Sequence, residues 1–193
     1  MKTFRYFFIL LFFTVLLAGC TQAPEVSPAI SEEIIEEMNF ARTEPKKYVT
    51  QRLSPLYNEK HTDSYLAALD EVVDYMNRMK ALPELTSAQG LYKCAKEWVD
   101  ISGPNGTVGH DSNISARFKK YCKYTALGEN CSYGYSTAQE IIIALLVDDG
   151  VESRGHRQNI LSKSFTHAGA AVGTHKKYKT MCCIDFAYGY QEN

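Results

Sequence analysis

Ile34, Ile35, Met38 and Ala41 recur at helical spacing behind Ser31, which predicts a first helix with Ser31 as its cap. Thr43-Glu44-Pro45 interrupts the pattern, and Pro45 suits the first turn of a short second helix carrying Tyr48 and Leu53. Residues 54–63 read as a loop. Tyr65, Leu66, Leu69, Val72, Val73, Met76 and Met79 then mark a longer helix over 64–81, ended by Pro83. Another helix over 87–102 uses Leu91, Cys94, Ala95, Trp98, Val99 and Ile101. Gly, Pro and Asn dominate 103–110, which predicts a loop, and a short helix is expected at 114–122. Ser136 opens a helix over 137–148, with Gln139 placed for a capping box. Its run 141–147 is apolar on every side and belongs in the core, and Gly150 stops it. The period then changes. Segments 168–174 and 179–188 have the composition of strands, joined by the basic turn His175-Lys176-Lys177. Helices first and strands last predict an α+β fold, with helices packed against a small antiparallel sheet.

The N-terminus follows a different logic. Lys2 and Arg5 precede an almost unbroken apolar run from Tyr6 to Leu17, shorter than the roughly 20 residues that span a bilayer. Ala18 and Gly19 then lead into Cys20, as small residues do at an export cleavage site. The string Leu17-Ala18-Gly19-Cys20 resembles the bacterial lipobox, which implies cleavage after residue 19 and lipidation of Cys20. Residues 1–19 are thus expected to be a signal peptide and 20–30 a flexible tether, with two prolines and no apolar pattern. The expected location is the bacterial cell envelope on its extracytoplasmic side, with the membrane as a partner through the anchor at Cys20.

The remaining residues, 31–193, fit one domain with its own core. Loss of Lys2 and Arg5 takes the formal charge from −1 to −3, and no basic cluster of the kind that binds nucleic acid remains. Lys119, Lys120 and Lys123 read as a solvated helix face. Of the six cysteines, five stay after Cys20 is set aside, an odd number for an oxidising compartment. No Cys-x-x-Cys pair suggests a zinc knot. Cys122 and Cys131 are the candidate disulfide, because the loop between them is short.

Three strings place ionisable groups at the edges of apolar elements: Gly109-His110-Asp111, Gly128-Glu129-Asn130 and Gly155-His156-Arg157-Gln158-Asn159-Ile160. Glycine before each ionisable residue permits a tight turn or close backbone approach. Together and in this order, they resemble the CAP superfamily of cysteine-rich secretory proteins, antigen 5 and pathogenesis-related 1 proteins, whose domain is also called SCP. Asn39-Phe40-Ala41-Arg42 is similar to the Asn-x-x-Arg of that family's first helix, and the segment from Asp148 to Leu161 to its bacterial branch. The resemblance implies a three-layer α-β-α sandwich and a cleft tetrad of two histidines and two acids. Carried over, His110, His156 and Glu129 match three members. The fourth falls at Asp149, with Asp148 as the alternative.

Two imidazoles and two carboxylates suit a divalent metal such as zinc, and equally a hydrogen-bonded network that needs no cofactor. Arg157 and Asn159 have another use, pinning their loop to the core and leaving His156 to point outward. No Gly-x-Ser-x-Gly elbow is present, and Cys94 sits on an apolar helix face, so no nucleophile stands out. A base such as His110 or Glu129 without a nucleophile or positioned water is not a mechanism. The expectation leans away from an enzyme and towards binding of a small amphipathic ligand or divalent metal. The alternatives are a metal-assisted hydrolase of peptide or cell-wall bonds and a surface interaction module with a vestigial cleft. An anchored cleft would meet lipid or cell-wall material. Labelling of the protein with a lipid probe in cells is expected to vanish in Cys20→Ser; persistent labelling contradicts the anchor.

Overall fold

The computed structural model describes residues 29–193. The expected signal peptide, Cys20 and the tether as far as residue 28 lie outside the described residues. Among the described residues, no helix is long and apolar enough to cross a membrane.

The helix α1 (Ala29–Thr43) already runs through Ser31, which is therefore not its cap. It buries Ile34, Ile35, Met38 and Ala41 as their spacing predicts. Its two polar residues have structural tasks. Asn39 clamps the backbone of Leu85, accepting from its N–H at 2.7 Å and donating to its carbonyl at 3.0 Å. The Arg42 guanidinium, 1% exposed, donates to the carbonyls of Pro83, Ile160 and Ser162 at 2.7–3.0 Å. A charge so buried is tolerable because it satisfies three carbonyls that would otherwise lack donors.

After α2 (Pro45–Tyr48), the chain continues as a π-helix over Val49–Leu53, within the expected second helix, and stays helical where a loop is expected, as a 3-10 helix over Ser54–Asn58. The helix α3 (Asp63–Arg78) is capped by Thr62, whose hydroxyl accepts from the Tyr65 N–H at 3.2 Å. The next helix, α4 (Gln89–Asn105), also runs on into an expected loop. Gly103 lies in its last turn as a packing residue, since a Cβ there would fall 2.3 Å from the carbonyl oxygen of Thr174. Helix α5 (Ile114–Tyr121) follows. The apolar helix α6 (Ala138–Val147) has a capping box one residue later than expected, formed by Thr137 and Glu140 rather than Ser136 and Gln139. A short α7 (Gly155–Ile160) completes the helices.

The strands are β1 (Thr86–Ser87), β2 (Cys122–Lys123), β3 (Ala126–Tyr133), β4 (His167–His175), β5 (Lys179–Tyr188) and β6 (Gln191–Glu192). The main sheet has the order β1-β4-β5-β3; all its pairings are antiparallel except the short β1–β4 contact. A separate antiparallel pair joins β2 and β6. In the β4–β5 turn, His175 Nδ1 accepts from the N–H groups of Lys177 and Tyr178, both at 3.2 Å.

The sheet is buried on both faces, which makes the α-β-α sandwich. From β5, Cys182, Ile184 and Phe186 pack among Ile34, Met38, Leu69, Ile142 and Leu146, so α1, α3 and α6 cover one face. Met181 and Cys183 pack with Ala95, Trp98 and Val99 of α4, and Ala187 with Leu91, Cys94 and Phe118, on the other face. This alternation is the two-residue period of a strand. Glycines let α4 approach β4 very closely: a Cβ on Gly169 would lie 2.2 Å from the Tyr92 nitrogen. Gly169→Ala is therefore expected to destabilise the protein by at least about 1–3 kcal/mol. Gly155→Ala, whose nearest contact would be 3.4 Å from the Ser153 hydroxyl, should stay within about 0.5 kcal/mol. Urea unfolding of the two variants checks this; equal midpoints would show that the close approach is not under steric control.

Candidate functional site

The site lies at the β3 edge of the sheet, where elements from both helical layers meet. Glu129 sits on the α4/α5 face of β3, opposite Asp185 of β5. His110 comes from the loop between α4 and α5. That loop is held by Gly109, whose N–H donates to the Tyr133 hydroxyl at 2.9 Å and whose carbonyl accepts from the Trp98 indole at 3.2 Å. With φ at 97°, Gly109 has a backbone that a side chain would strain. His110 Nδ1 and Glu129 Oε1 are 2.8 Å apart.

His156 enters from the other layer. Its Nδ1 lies 2.7 Å from Asp148 Oδ1, and its backbone N–H donates to Asp148 Oδ2 at 3.0 Å. Asn130, on the opposite face of β3 from Glu129, donates to the His156 carbonyl at 3.0 Å, and Asn159 donates to Asn130 Oδ1 at 2.8 Å. The two imidazole rings stand 6.4 Å apart between centroids.

The structure brings His110, Glu129 and His156 together, but not Asp149. Asp149 is exposed and accepts a hydrogen bond from the Ser64 hydroxyl at 2.6 Å. Asp148, the alternative, stands beside His156. The physical reason is where α6 ends: Val147 is its last residue and Asp148 takes a left-handed backbone with φ of 56°. That turn, which Asp tolerates better than most residues, directs its carboxylate to the start of α7. Arg157 fixes the turn from beneath, donating to the carbonyls of Leu146, Val147 and Ala68 at 2.6–2.9 Å. Arg157 and Asn159 are thus pins, and the His156 ring is left partly exposed.

The expected Cys122–Cys131 disulfide is absent, and the five described cysteines are thiols. Cys122 packs with Phe118 and Leu91 and donates to the Phe118 carbonyl, whereas Cys131 packs with Trp98 and Met181. A short loop between two cysteines does not bring them into one cluster.

Three residues that the sequence pattern did not single out as site residues, Arg117, Cys183 and Asp185, complete the site together with Cys131, which was expected there only as the partner of Cys122. Arg117 from α5 is 2% exposed, and its Nη2 donates to Glu129 Oε2 and faces Asp185 Oδ1 at 3.4 Å. Asp185 had a signal, an acid between the core positions Ile184 and Phe186. Burial acts to raise Glu129, but hydrogen bonds from His110 and the Arg117 guanidinium prevail and hold its carboxyl below the usual range. Burial pushes Asp185 well up, with Arg117 opposing and Glu129 adding to the rise. Asp111 Oδ2 also faces Arg117, 3.7 Å from its Nε. The Cys131 thiol is drawn down to about 6 by hydrogen bonding with Cys183 and His110 in spite of burial. Burial and the hydrogen bond to Cys131 drive Cys183 up.

Atoms of metal-ligand type converge in two groups within 4.8 Å, His110 with Glu129 and Cys131, and Glu129 with Cys183 and Asp185. In the second, Arg117 already supplies the positive charge, and a cation would have to displace it. Two surface concavities, of about 310 and 410 Å³, lie away from the histidines and share Tyr75 and Leu161. Their rims carry Arg154, Arg78, Lys80 and Lys163.

A family model described as CAP, the cysteine-rich secretory protein family, matches residues 36–186. No curated protein matches the chain. Among solved structures, an outer surface protein from Borrelia burgdorferi is 19% identical, with a TM-score of 0.47, covering 67% of this chain and 96% of its own. An extracellular protein containing a SCP domain from Bacillus anthracis is 23% identical, with a TM-score of 0.44 over 55% of this chain and 34% of its own. A cysteine-rich secretory protein from Staphylococcus aureus is 14% identical, with a TM-score of 0.43 over 67% of this chain and 40% of its own. The chain thus spans well under half of the last two proteins.

Hydrogen bonds with Cys131 and Glu129 raise His110 from 6.5 to about 10. Its imidazolium contributes stability that is complete below pH 6.5 and is lost as pH rises through its folded value. NMR titration of the His110 ring should give a midpoint well above 6.5; a midpoint at or below that value would sink the assignment.

Proposed function

The chain belongs to the cysteine-rich secretory protein (CAP) family, and from that premise we propose that it is an envelope-anchored, extracytoplasmic binding domain. Its His110 and His156 take up a divalent cation such as zinc, in a binding rather than a catalytic role. The extracytoplasmic part of this reading rests on the leader pattern and the lipobox-like string ending at Cys20.

The cation part rests on one observation: each histidine gives Nδ1 to a carboxylate, Glu129 for His110 and Asp148 for His156. A carboxylate on Nδ1 fixes the ring's orientation, leaving Nε2 as the nitrogen that a metal binds on displacing its proton. The pairing of imidazole with carboxylate is the usual support of a metal-ligating histidine. Two protein nitrogens are fewer than the three or four ligands of a dedicated zinc site. The residues therefore fit a weakly held, exchangeable cation, whose other positions are open to solvent or to a polar group of a ligand. When bound, such an ion would supply a Lewis acid. This chain's own part is to hold the two rings and keep His110 and His156 on one surface.

An amphipathic ligand would suit the concavity around Tyr75 and Leu161 better than the histidine pair. It combines apolar walls with a basic rim, which favours an anionic amphiphile.

Zinc titration of the full-length protein in detergent, followed by calorimetry, separates the two aspartates. Asp148→Asn should weaken binding by about 10–100-fold, as loss of a ligand's supporting carboxylate does. Asp149→Asn should leave it unchanged. Equal zinc affinity in the wild type, Asp148→Asn and His156→Ala would overturn the proposal.

A further inference from the structure

Cys131 and Cys183 stand directly opposite one another on β3 and β5. Both face the α4 layer and pack in one cluster with Trp98 and Met181. Both thiols border the polar cluster: the Cys131 sulfur lies within 4.8 Å of ligand atoms of His110 and Glu129, and the Cys183 sulfur within 4.8 Å of carboxylate oxygens of Glu129 and Asp185. Directly opposed residues of an antiparallel pair have Cα atoms about 4.5 or 5.5 Å apart, depending on whether they share ladder hydrogen bonds. Both separations fall within the range of about 4.4–6.8 Å that disulfides bridge. The register of the two strands therefore meets the Cα requirement for a bridge. The neighbouring Cys182 cannot compete, because it points to the opposite face and packs with Ile184 and Phe186.

The two thiols are not equivalent. Cys183 is fully buried, and its Sγ donates to Glu129 Oε2 at 3.3 Å. Cys131 is 7% exposed and touches His110, whose side chain is 54% exposed. A reagent arriving from solvent meets Cys131 first.

We propose that Cys131 and Cys183 form a redox-active dithiol–disulfide pair that exchanges with small-molecule disulfides and thiols, Cys131 being the attacking sulfur. The Cys131 thiolate attacks one sulfur of a disulfide R–S–S–R. A Cys131–S–S–R mixed disulfide forms, and one RS⁻ leaves and takes up the Cys131 proton as RSH. Cys183 then gives its proton to the Glu129 carboxylate and attacks the Cys131 sulfur. The second RS⁻ leaves, and the proton on Glu129 returns through solvent to complete the second RSH. Two thiols are oxidised to one disulfide, and one disulfide is reduced to two thiols. Closure removes the thiol proton that Cys183 donates to Glu129, the carboxylate that holds His110, so the oxidation state reaches the histidine pair.

This inference stands apart from the cation reading, because its readout is a covalent bond and involves no metal. The full-length protein in detergent, reduced and freed of reductant, is treated with hydroxyethyl disulfide in the folded state. Remaining thiols are alkylated under denaturing conditions, and the peptides are mapped by mass spectrometry. A Cys182→Ser background leaves Cys183 as the one thiol in its peptide. The expected product is a peptide pair joined through Cys131 and Cys183, two hydrogens lighter and released by dithiothreitol. Cys183→Ser should instead accumulate the hydroxyethyl mixed disulfide on Cys131, and Cys131→Ser should yield neither bridge nor adduct. If the folded protein gives no Cys131–Cys183 link, or if Cys183 takes up the reagent as fast in Cys131→Ser as Cys131 does in Cys183→Ser, the proposal fails. The linked peptide is read in a protein with both thiols intact, so a folding defect in either variant does not decide the outcome.

Discussion

Arg117 is buried against the sheet, and removing its charge from water is tolerable because the acids Glu129, Asp185 and Asp111 face it. The result is a division of labour between two acids that sit opposite each other across β3 and β5. Hydrogen bonds from His110 and Arg117 favour the ionised form of Glu129, whereas burial favours the neutral form of Asp185. Because Glu129 stays ionised in the interior, its second oxygen is free to hold His110 at the surface. The chain from guanidinium to carboxylate to imidazole thus runs from the core to solvent, with Cys131 and Cys183 packed along it. Replacing Arg117 by a neutral residue would leave a buried carboxylate without its partner, a more costly change than losing the whole network.

A comparable knot holds the other layer. Arg157 satisfies the last carbonyls of α6, groups that a helix end leaves without donors, and reaches the Ala68 carbonyl inside α3. Arg42 does the same for the segment after Pro83 and for the end of α7. Three arginines, each with 8% exposure or less, therefore stand where backbone or carboxylate oxygens turn inward. The histidine pair can be presented at the surface because rigid polar contacts lie beneath both rings.

Much of this was legible in the sequence. The strand over 179–188 is found at those residues, and the apolar run of α6 is buried as its composition requires. The strings around His110, Glu129 and His156 did locate residues that converge. What was not legible is of two kinds. Local boundaries shifted where a residue took a conformation its type seldom adopts, as Asp148 does in ending α6 before Gly150 is reached. Tertiary pairings left no local trace. Cys131 meets Cys183 through strand register, over a separation in sequence that no spacing rule covers, whereas the nearer Cys122 belongs to a different cluster. Arg117 carried no signal beside Lys119 and Lys120, which read as a solvated face, yet the helix turns Arg117 inward beside Phe118.

The place of β3 in the strand order gives the site a second meaning. It is the outer strand of the main sheet, and an outer strand offers unpaired backbone groups to any other chain in extended form. Here the amide of Asn159 takes the carbonyl of Glu129, and α7 lies along the strand while the His110 loop closes over its other face. At the opposite end, β1 has two residues, too few to serve as a template. The cluster that presents the histidines is therefore also a guard against strand addition, and a lineage that lost its ligand would still have reason to keep it. In such a protein, decay of the cleft would be seen first as self-association rather than as lost binding.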